Sequence, residues 1–257
     1  MNISTETKHQ VLRQHFGITP TPNQLVIALA GNPNVGKSTV FNALTGLRQH
    51  TGNWPGKTVD NAQGTFYYQD QSFLLVDLPG TYSILAHTVE EQVARDFICF
   101  GHPDVTLVVL DATCLERNLN LALQVMEITP HVVVCVNLMD EARKKNIHVN
   151  IEALQQELGV PVVATAARNS EGLDDLLTIL YQVAKGKLQP RPKRIVYSTE
   201  IENAVELLLP NIQRLIDHQL DPRWVALRLL DGDQGFIDSI NLHLELNLHQ
   251  SQKGAAV

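Results

Sequence analysis

A doubly wound, mostly parallel α/β sheet with a small all-helical domain behind it is the fold class this sequence predicts, on three observations. Apolar runs rich in valine, leucine and isoleucine alternate with amphipathic stretches between residues 24 and 186, the pattern of buried parallel strands joined by crossover helices. The first such run, 25–30, leads directly into a glycine-punctuated loop and then a helix-patterned segment, 38–47, as in sheets that bind ligands at the carboxyl ends of their strands. Past the basic, proline-containing stretch 186–194, strand-like runs stop and only helical spacing remains. The predicted division is a polar extension over 1–23, an α/β domain over 24–186, a linker over 187–198 and a helical domain over 199–257.

Bulk properties narrow the class. The chain has 257 residues, 44% of them hydrophobic and 18% charged, the make-up of a globular protein able to bury a core. A net charge of −7 counts against a nucleic-acid partner, whose binders carry a basic balance or stripe. Cys99, Cys114 and Cys135 stand singly in apolar segments and read as reduced core residues. His243 and His249, six residues apart near the end, face different sides of a helix and read as surface residues. The sequence holds no apolar run long enough to span a bilayer and no signal-peptide pattern at its start, so this piece is expected to be soluble and cytoplasmic.

In chain order, residues 1–23 end in Thr19-Pro20-Thr21-Pro22 and are expected to be weakly ordered. Gly31-Asn32-Pro33-Asn34-Val35-Gly36-Lys37-Ser38 then fits G-x-x-x-x-G-K-[ST] at every specified position. Such a loop aims backbone amides at phosphate oxygens, its lysine reaches the β- and γ-phosphates, and its hydroxyl takes a Mg²⁺ position. A following helix N-terminus adds a favourable dipole. Residues 48–61, with Gly52-Asn53-Trp54-Pro55-Gly56-Lys57-Thr58, forbid a helix or central strand and are expected to be a mobile loop carrying Thr58 toward Mg²⁺ and a γ-phosphate. A hairpin is predicted from 64–68 and 72–76. Its second strand ends in Asp77-Leu78-Pro79-Gly80: Asp77 is placed to orient a Mg²⁺-bound water and Gly80 to offer its N–H to a γ-phosphate.

Residues 81–87 continue as loop, 89–100 as helix, 105–110 as buried strand, 115–128 as helix and 132–136 as buried strand. That strand ends in Asn137-Leu138-Met139-Asp140, the outer positions of N-K-x-D, in which an aspartate accepts from guanine N1–H and N2–H₂. A helix over 152–158, a strand over 160–164 and a closing helix over 173–184 follow. The turn Thr165-Ala166-Ala167-Arg168 presents a backbone N–H to the guanine O6. Four helices are predicted beyond the linker, at 200–209, 212–220, 222–230 and 234–248.

The five ordered motifs resemble those of translation-factor-related GTPases. Within that class the sequence is similar to the amino-terminal cytoplasmic part of the ferrous iron transport protein B family, through Gly31 to Thr39, Gly52 to Thr58, Asp77-Leu78-Pro79-Gly80-Thr81-Tyr82-Ser83, Leu115-Glu116-Arg117-Asn118-Leu119 and Arg223-Trp224-Val225-Ala226-Leu227. The resemblance covers about residues 24–250. It implies a P-loop GTPase domain and a helical domain that precede a membrane region moving Fe²⁺ inward, at the cytoplasmic face of a bacterial inner membrane. That membrane region is absent from this chain. It and small cytosolic accessory proteins of the iron-transport system are the implied partners, with no nucleic acid.

The resemblance further implies GTP/GDP, Mg²⁺ and K⁺ as ligands. The phosphate loop would comprise Gly31, Asn32, Asn34, Val35, Gly36, Lys37, Ser38 and Thr39. Lys37 would sit on the phosphates, Ser38 and Thr58 on Mg²⁺, Asp77 on the metal's waters, Gly80 on the γ-phosphate and Asn34 on K⁺, in place of an arginine finger's charge. Asn137, Met139 and Asp140 would form the guanine-reading segment, with Thr165, Ala166 and Ala167 beside O6. Lys37, Asn34, Thr58 and Gly80 are the implied catalytic set. Three departures point to a slow, fast-releasing switch: Thr81 where many GTPases place a water-positioning glutamine, Leu138 for the lysine of N-K-x-D, and no serine in Thr165-Ala166-Ala167. Two other readings share these motifs: a soluble GTPase acting on RNA or the ribosome, and a non-catalytic nucleotide-sensing module.

Overall fold

A computed structural model describes residues 5–46, 49–85, 88–216 and 220–253. The expected helix end at Leu47, loop start at Arg48, loop end at 86–87 and helix segment 217–219 lie outside them, as do residues 1–4 and 254–257. The chain divides into two compact units, one of residues 1–19, 99–102 and 195–257, the other of 20–98 and 103–194.

Chain order begins with α1 (Thr5–His15), which corrects the weakly ordered extension. Leu12, Phe16 and Ile18 are buried, and Arg13 donates from Nε to Gly101 O at 3.1 Å and from its guanidinium to His102 O. These apolar residues, one on the helix and two just past its end, are too few and too scattered to advertise a helix in the sequence.

The α/β unit follows with β1 (Leu25–Gly31), α2 (Lys37–Thr45), β2 (Gln49–Asn53), β3 (Asp60–Tyr68), β4 (Gln71–Asp77), α3 (Val89–Phe100), β5 (Val105–Asp111), α4 (Leu115–Ile128), β6 (Val132–Asn137), α5 (Met139–Lys144), α6 (Ile151–Leu158), β7 (Val162–Ala164) and α7 (Leu173–Ala184). One seven-stranded sheet has the order β2-β3-β4-β1-β5-β6-β7. Pairing is parallel from β4 through β7 and antiparallel at β2–β3 and β3–β4, matching the mostly parallel sheet with one hairpin. β1 lies between β4 and β5, so chain order reverses there and opens a crevice at the strands' carboxyl ends. Register brings the site to that edge: Leu29 pairs with Asp77, Gly31 with Val109 and Asp111 with Asn137.

Residues of β1, β4, β5 and β6 at alternate positions, among them Leu29, Leu75, Leu107 and Cys135, pack with Phe41 of α2 and Leu176 and Leu180 of α7. α3 starts at a capping box: Thr88 Oγ1 accepts from Glu91 N at 3.2 Å while Glu91 Oε2 accepts from Thr88 N at 3.3 Å, satisfying donors the first turn leaves open.

Three further expectations change. Part of the loop over 48–61 is the edge strand β2, where glycine and asparagine are tolerated because only one side pairs; Trp54 behind it is 2% exposed and packs edge-on against Phe97 at 5.4 Å. Cys114 is exposed rather than core, because it sits past the end of β5 at the N-cap of α4. Residues 187–194 belong to the α/β unit, where Arg191 N and Lys193 N donate to Gly159 O and Leu158 O, each at 2.9 Å.

Among the described residues beyond 195, three helices stand where four were expected: α8 (Thr199–Ile216), α9 (Pro222–Asp231) and α10 (Gln234–Lys253). α8 continues through Pro210, with Val205, Ile212 and Ile216 buried on either side of it; packing of that face outweighs the lost backbone bond. α9 opens with Asp221 accepting from Arg223 N and Trp224 N, and Pro222 in its first turn. His243 corrects its surface assignment: it is 4% exposed and stacked on Phe100 at 4.0 Å. The side chain of His249 lies outside the described residues.

Candidate nucleotide site

The loop between β1 and α2 bounds a cavity of about 470 Å³ lined by Asn32, Pro33, Asn34, Gly36, Lys37, Ser38, Thr39 and Gly80. Its backbone explains the glycine and asparagine. Gly36 has φ 81° and Asn34 φ 68°, left-handed values that cost a branched or bulky residue dearly. A Cβ at Gly36 would collide with the Asn137 amide. Val35, 2% exposed, anchors the loop in the core, while Asn34, Ser38 and Thr39 are exposed.

Lys37 Nζ pairs with Asp77 Oδ1 and donates to Leu78 O at 2.6 Å. Burial pushes the Asp77 carboxyl above the usual carboxylate range, and the Lys37 ammonium pulls the other way. The segment after Asp77 runs beside the loop: Leu78 N donates to Leu29 O at 3.0 Å and Thr81 N to Gly31 O at 3.3 Å. Gly80 stands against Pro33, where an added Cβ would find Pro33 Cα at 3.5 Å.

Asn137 takes a different place from the one read in the sequence. It is 1% exposed; Nδ2 donates to Val35 O at 3.1 Å, and Oδ1 accepts from Thr165 Oγ1 at 3.0 Å and Ala167 N at 3.1 Å. Its amide therefore ties the phosphate loop to the 165–167 turn instead of facing a base. The Ala167 N–H assigned to a guanine O6 is bonded within the protein. Thr165 and Ala166 are buried, and Thr165 O accepts from Met139 N at 3.1 Å.

Asp140 is half-buried at the start of α5 and accepts from Asn169 Nδ2 at 3.4 Å. Asn169 went unnoticed in the sequence, since it joins Asp140 only through the tertiary turn. Leu138 holds φ 62° just before α5. Thr58 is exposed on the β2–β3 connection and is not among the cavity-lining residues. The structure thus gathers the phosphate loop with Gly80, and Asn137 with 165–167, and leaves Thr58 outside the cavity.

The residues suit a polyphosphate: a lysine, two exposed hydroxyls and an N-terminal helix end surround a cradle closed to side chains at Gly36. For a hard cation, Ser38 supplies an oxygen at the cavity and Asp77 a carboxylate at its margin. Asn34 offers a carboxamide oxygen for a monovalent ion.

Comparison with known proteins gives the site its family. Residues 25–180 match the family described as ferrous iron transport protein B, and residues 197–255 match the FeoB cytosolic helical domain. An Fe(2+) transport protein A/Fe(2+) transporter FeoB fusion protein of Porphyromonas gingivalis is 38% identical over 237 residues, 91% of this chain and 28% of its own. The Fe(2+) transporter FeoB of Escherichia coli K12 is 36% identical over 232 residues, 88% of this chain and 30% of its own. The chain therefore spans under a third of these relatives' length. The crystal structure of the cytosolic domain of the T. maritima FeoB iron transporter in GDP form I superposes with a TM-score of 0.78 at 33% identity, covering 88% of this chain and 87% of that one. Among the described residues no helix is long and apolar enough to cross a membrane. By the match over 25–180 and the identity to these relatives, the chain belongs to the ferrous iron transport protein B family.

Proposed function

We propose that this chain is the GTP-binding, GTP-hydrolysing switch region of a ferrous iron membrane transporter, acting at the cytoplasmic face of a bacterial inner membrane. The observation that carries the reading is the phosphate cradle, with Lys37, Ser38 and Thr39 on its wall and a glycine at position 36 whose left-handed backbone and contact with the Asn137 amide leave no room for a Cβ. The T. maritima neighbour's GDP form supports a guanine nucleotide as the ligand.

On this reading, backbone amides of 32–38 receive the β-phosphate and Lys37 exchanges Asp77 and Leu78 O for phosphate oxygens. Ser38 and Thr58 would hold Mg²⁺, with Asp77 on the metal's waters, and the ion would neutralise phosphate charge. Asn34 would hold K⁺, which would supply the charge of an arginine finger. Asp140 accepts from the guanine N1–H and N2–H₂, which adenine cannot match. Gly80 N–H faces the γ-phosphate. Thr81 supplies no carboxamide for the attacking water, so intrinsic turnover is slow. Leu138 removes a lysine's contact with the base, so nucleotide leaves readily. The partners are the transporter's membrane region and small cytosolic accessory proteins.

The test is steady-state phosphate release from GTP and ATP, each in KCl and in NaCl, with Asn34→Ala as control. GTP-selective release raised by K⁺ and lost in Asn34→Ala is the expected result. Preference for ATP refutes the assignment; equal rates in both salts refute the K⁺ role alone.

A further inference from the structure

Asn32 sits between Gly31 and Pro33 at the floor of the cavity, 1% exposed. Neither its Oδ1 nor its Nδ2 has a hydrogen-bond partner among the described residues, and both atoms are buried. Leaving both ends of a carboxamide unbonded and dry is costly, and native structures keep such groups only where they do something. Asn137, equally buried nearby in the same site, has both ends bonded; Asn61 and Thr106 each leave one buried side-chain oxygen unbonded, but among the described residues Asn32 alone leaves both ends of a carboxamide so.

The surroundings indicate what Asn32 is for. The backbone on either side of it touches one segment: Gly31 O accepts from Thr81 N at the long distance of 3.3 Å, and Pro33 abuts Gly80. That segment is restrained at its start by Lys37, whose ammonium holds Leu78 O at 2.6 Å. Lys37 is the group a bound phosphate recruits.

We propose that Asn32 is a positioning residue that latches the 78–81 segment when Lys37 moves onto phosphate. Loss of the ammonium frees the Leu78 carbonyl and lets the segment shift; Asn32 then accepts a backbone N–H at Oδ1 and donates to a backbone carbonyl from Nδ2. The nucleotide occupies the cavity and never touches the carboxamide. Asn32 thereby makes phosphate binding and loop placement one event, a coupling between two arrangements each with its own hydrogen bonds. The proposal rests on the nucleotide reading above.

The test measures dissociation constants for fluorescent mant-GDP and mant-GMPPNP, and the urea midpoint without nucleotide, for the unmodified chain and for Asn32→Leu, Asn32→Ala and Asn32→Ser. An apolar side chain removes the unbonded carboxamide, so Asn32→Leu is expected to raise the urea midpoint yet weaken both nucleotides by about 10- to 100-fold, the equivalent of two net hydrogen bonds. Asn32→Ala reads the same loss without overpacking, and Asn32→Ser, with a hydroxyl that donates and accepts, recovers part of it. Wild-type affinity in Asn32→Leu or Asn32→Ala overturns the latch. So does a parallel loss of stability and affinity in both, the signature of an ordinary structural residue. If the unmodified chain binds neither analogue, the nucleotide reading falls first and the latch with it.

Discussion

Asn137→Ala tests how the base side of the site is built. The side chain makes three bonds at 3.0–3.1 Å, to Val35 O, Thr165 Oγ1 and Ala167 N, and all three partners are buried, at 2%, 0% and 4% exposure. Truncation strands Val35 O and Ala167 N where water cannot reach, while Thr165 Oγ1 keeps Cys135 Sγ at 3.1 Å. At about 1 kcal/mol net per bond and more for each group left unsatisfied, the loss is roughly 3–5 kcal/mol, a large part of a typical stability of about 5–15 kcal/mol. For a urea slope of about 2–3 kcal/mol/M the midpoint falls by roughly 1–2 M. The two tryptophans lie in different units, Trp54 in the α/β unit and Trp224 in the helical one. In a Trp224→Phe background, Trp54 fluorescence therefore follows the α/β unit alone. Asn137→Asp keeps the two acceptor bonds and sets a carboxylate oxygen against Val35 O, so it too destabilises. A midpoint unchanged in Asn137→Ala, with only nucleotide affinity reduced, would refute the bridging role and restore the residue to direct base reading.

Two other outcomes are expected. Arg223 donates from Nη1 and Nη2 to Glu202, at 2.5 and 2.8 Å, and with the Tyr197 N–H at 2.8 Å holds the Glu202 carboxyl down at about 2. A depressed carboxyl stabilises the folded form fully above its unfolded value and loses that contribution as pH falls toward 2. Trp224 fluorescence in a Trp54→Phe background should thus show the urea midpoint falling between about pH 4.5 and 2, with Glu202→Gln lower at neutral pH and flatter through that window; identical profiles would refute the pair's role. Among the cysteines, Cys114 is exposed, Cys99 is buried, and burial pushes the Cys135 thiol up to about 12. A thiol reagent at pH 8 should label Cys114 alone in native protein and all three in urea, and rapid native labelling of Cys135 would refute the closed core at β6.

What was legible in the sequence was whatever local pattern encodes. Unbroken β-branched runs at 105–110 and 132–136 admit few readings other than buried parallel strands, and they appear as β5 and β6. The phosphate loop was legible because its chemistry constrains residue types within eight consecutive positions, and Gly36 and Asn34 hold the left-handed angles that those types permit. Residues whose environment is assembled from distant segments were not. α1 reads as a polar tail because Leu12 on the helix, and Phe16 and Ile18 just past its end, are buried only once a surface exists to cover them. Pro210 reads as a helix stop because the local cost is visible and the compensating burial of Ile212 and Ile216 is not.

The sequence by itself determined that a phosphate-binding turn joins a strand to a helix, that a parallel sheet carries it and that a helical domain follows. Tertiary structure alone decided that Asn137 binds two loops together rather than facing a base, that Lys37 rests on Asp77 and the Leu78 carbonyl, and that the carboxamide of Asn32 is buried without a hydrogen-bond partner among the described residues. Propensity and motif spacing act over a few bonds of chain. A hydrogen bond across 102 residues, as from Asn137 at the end of β6 to Val35 in the phosphate loop, exists only because the parallel sheet brings the loop after β1 and the end of β6 to the same carboxyl edge, with β5 between them.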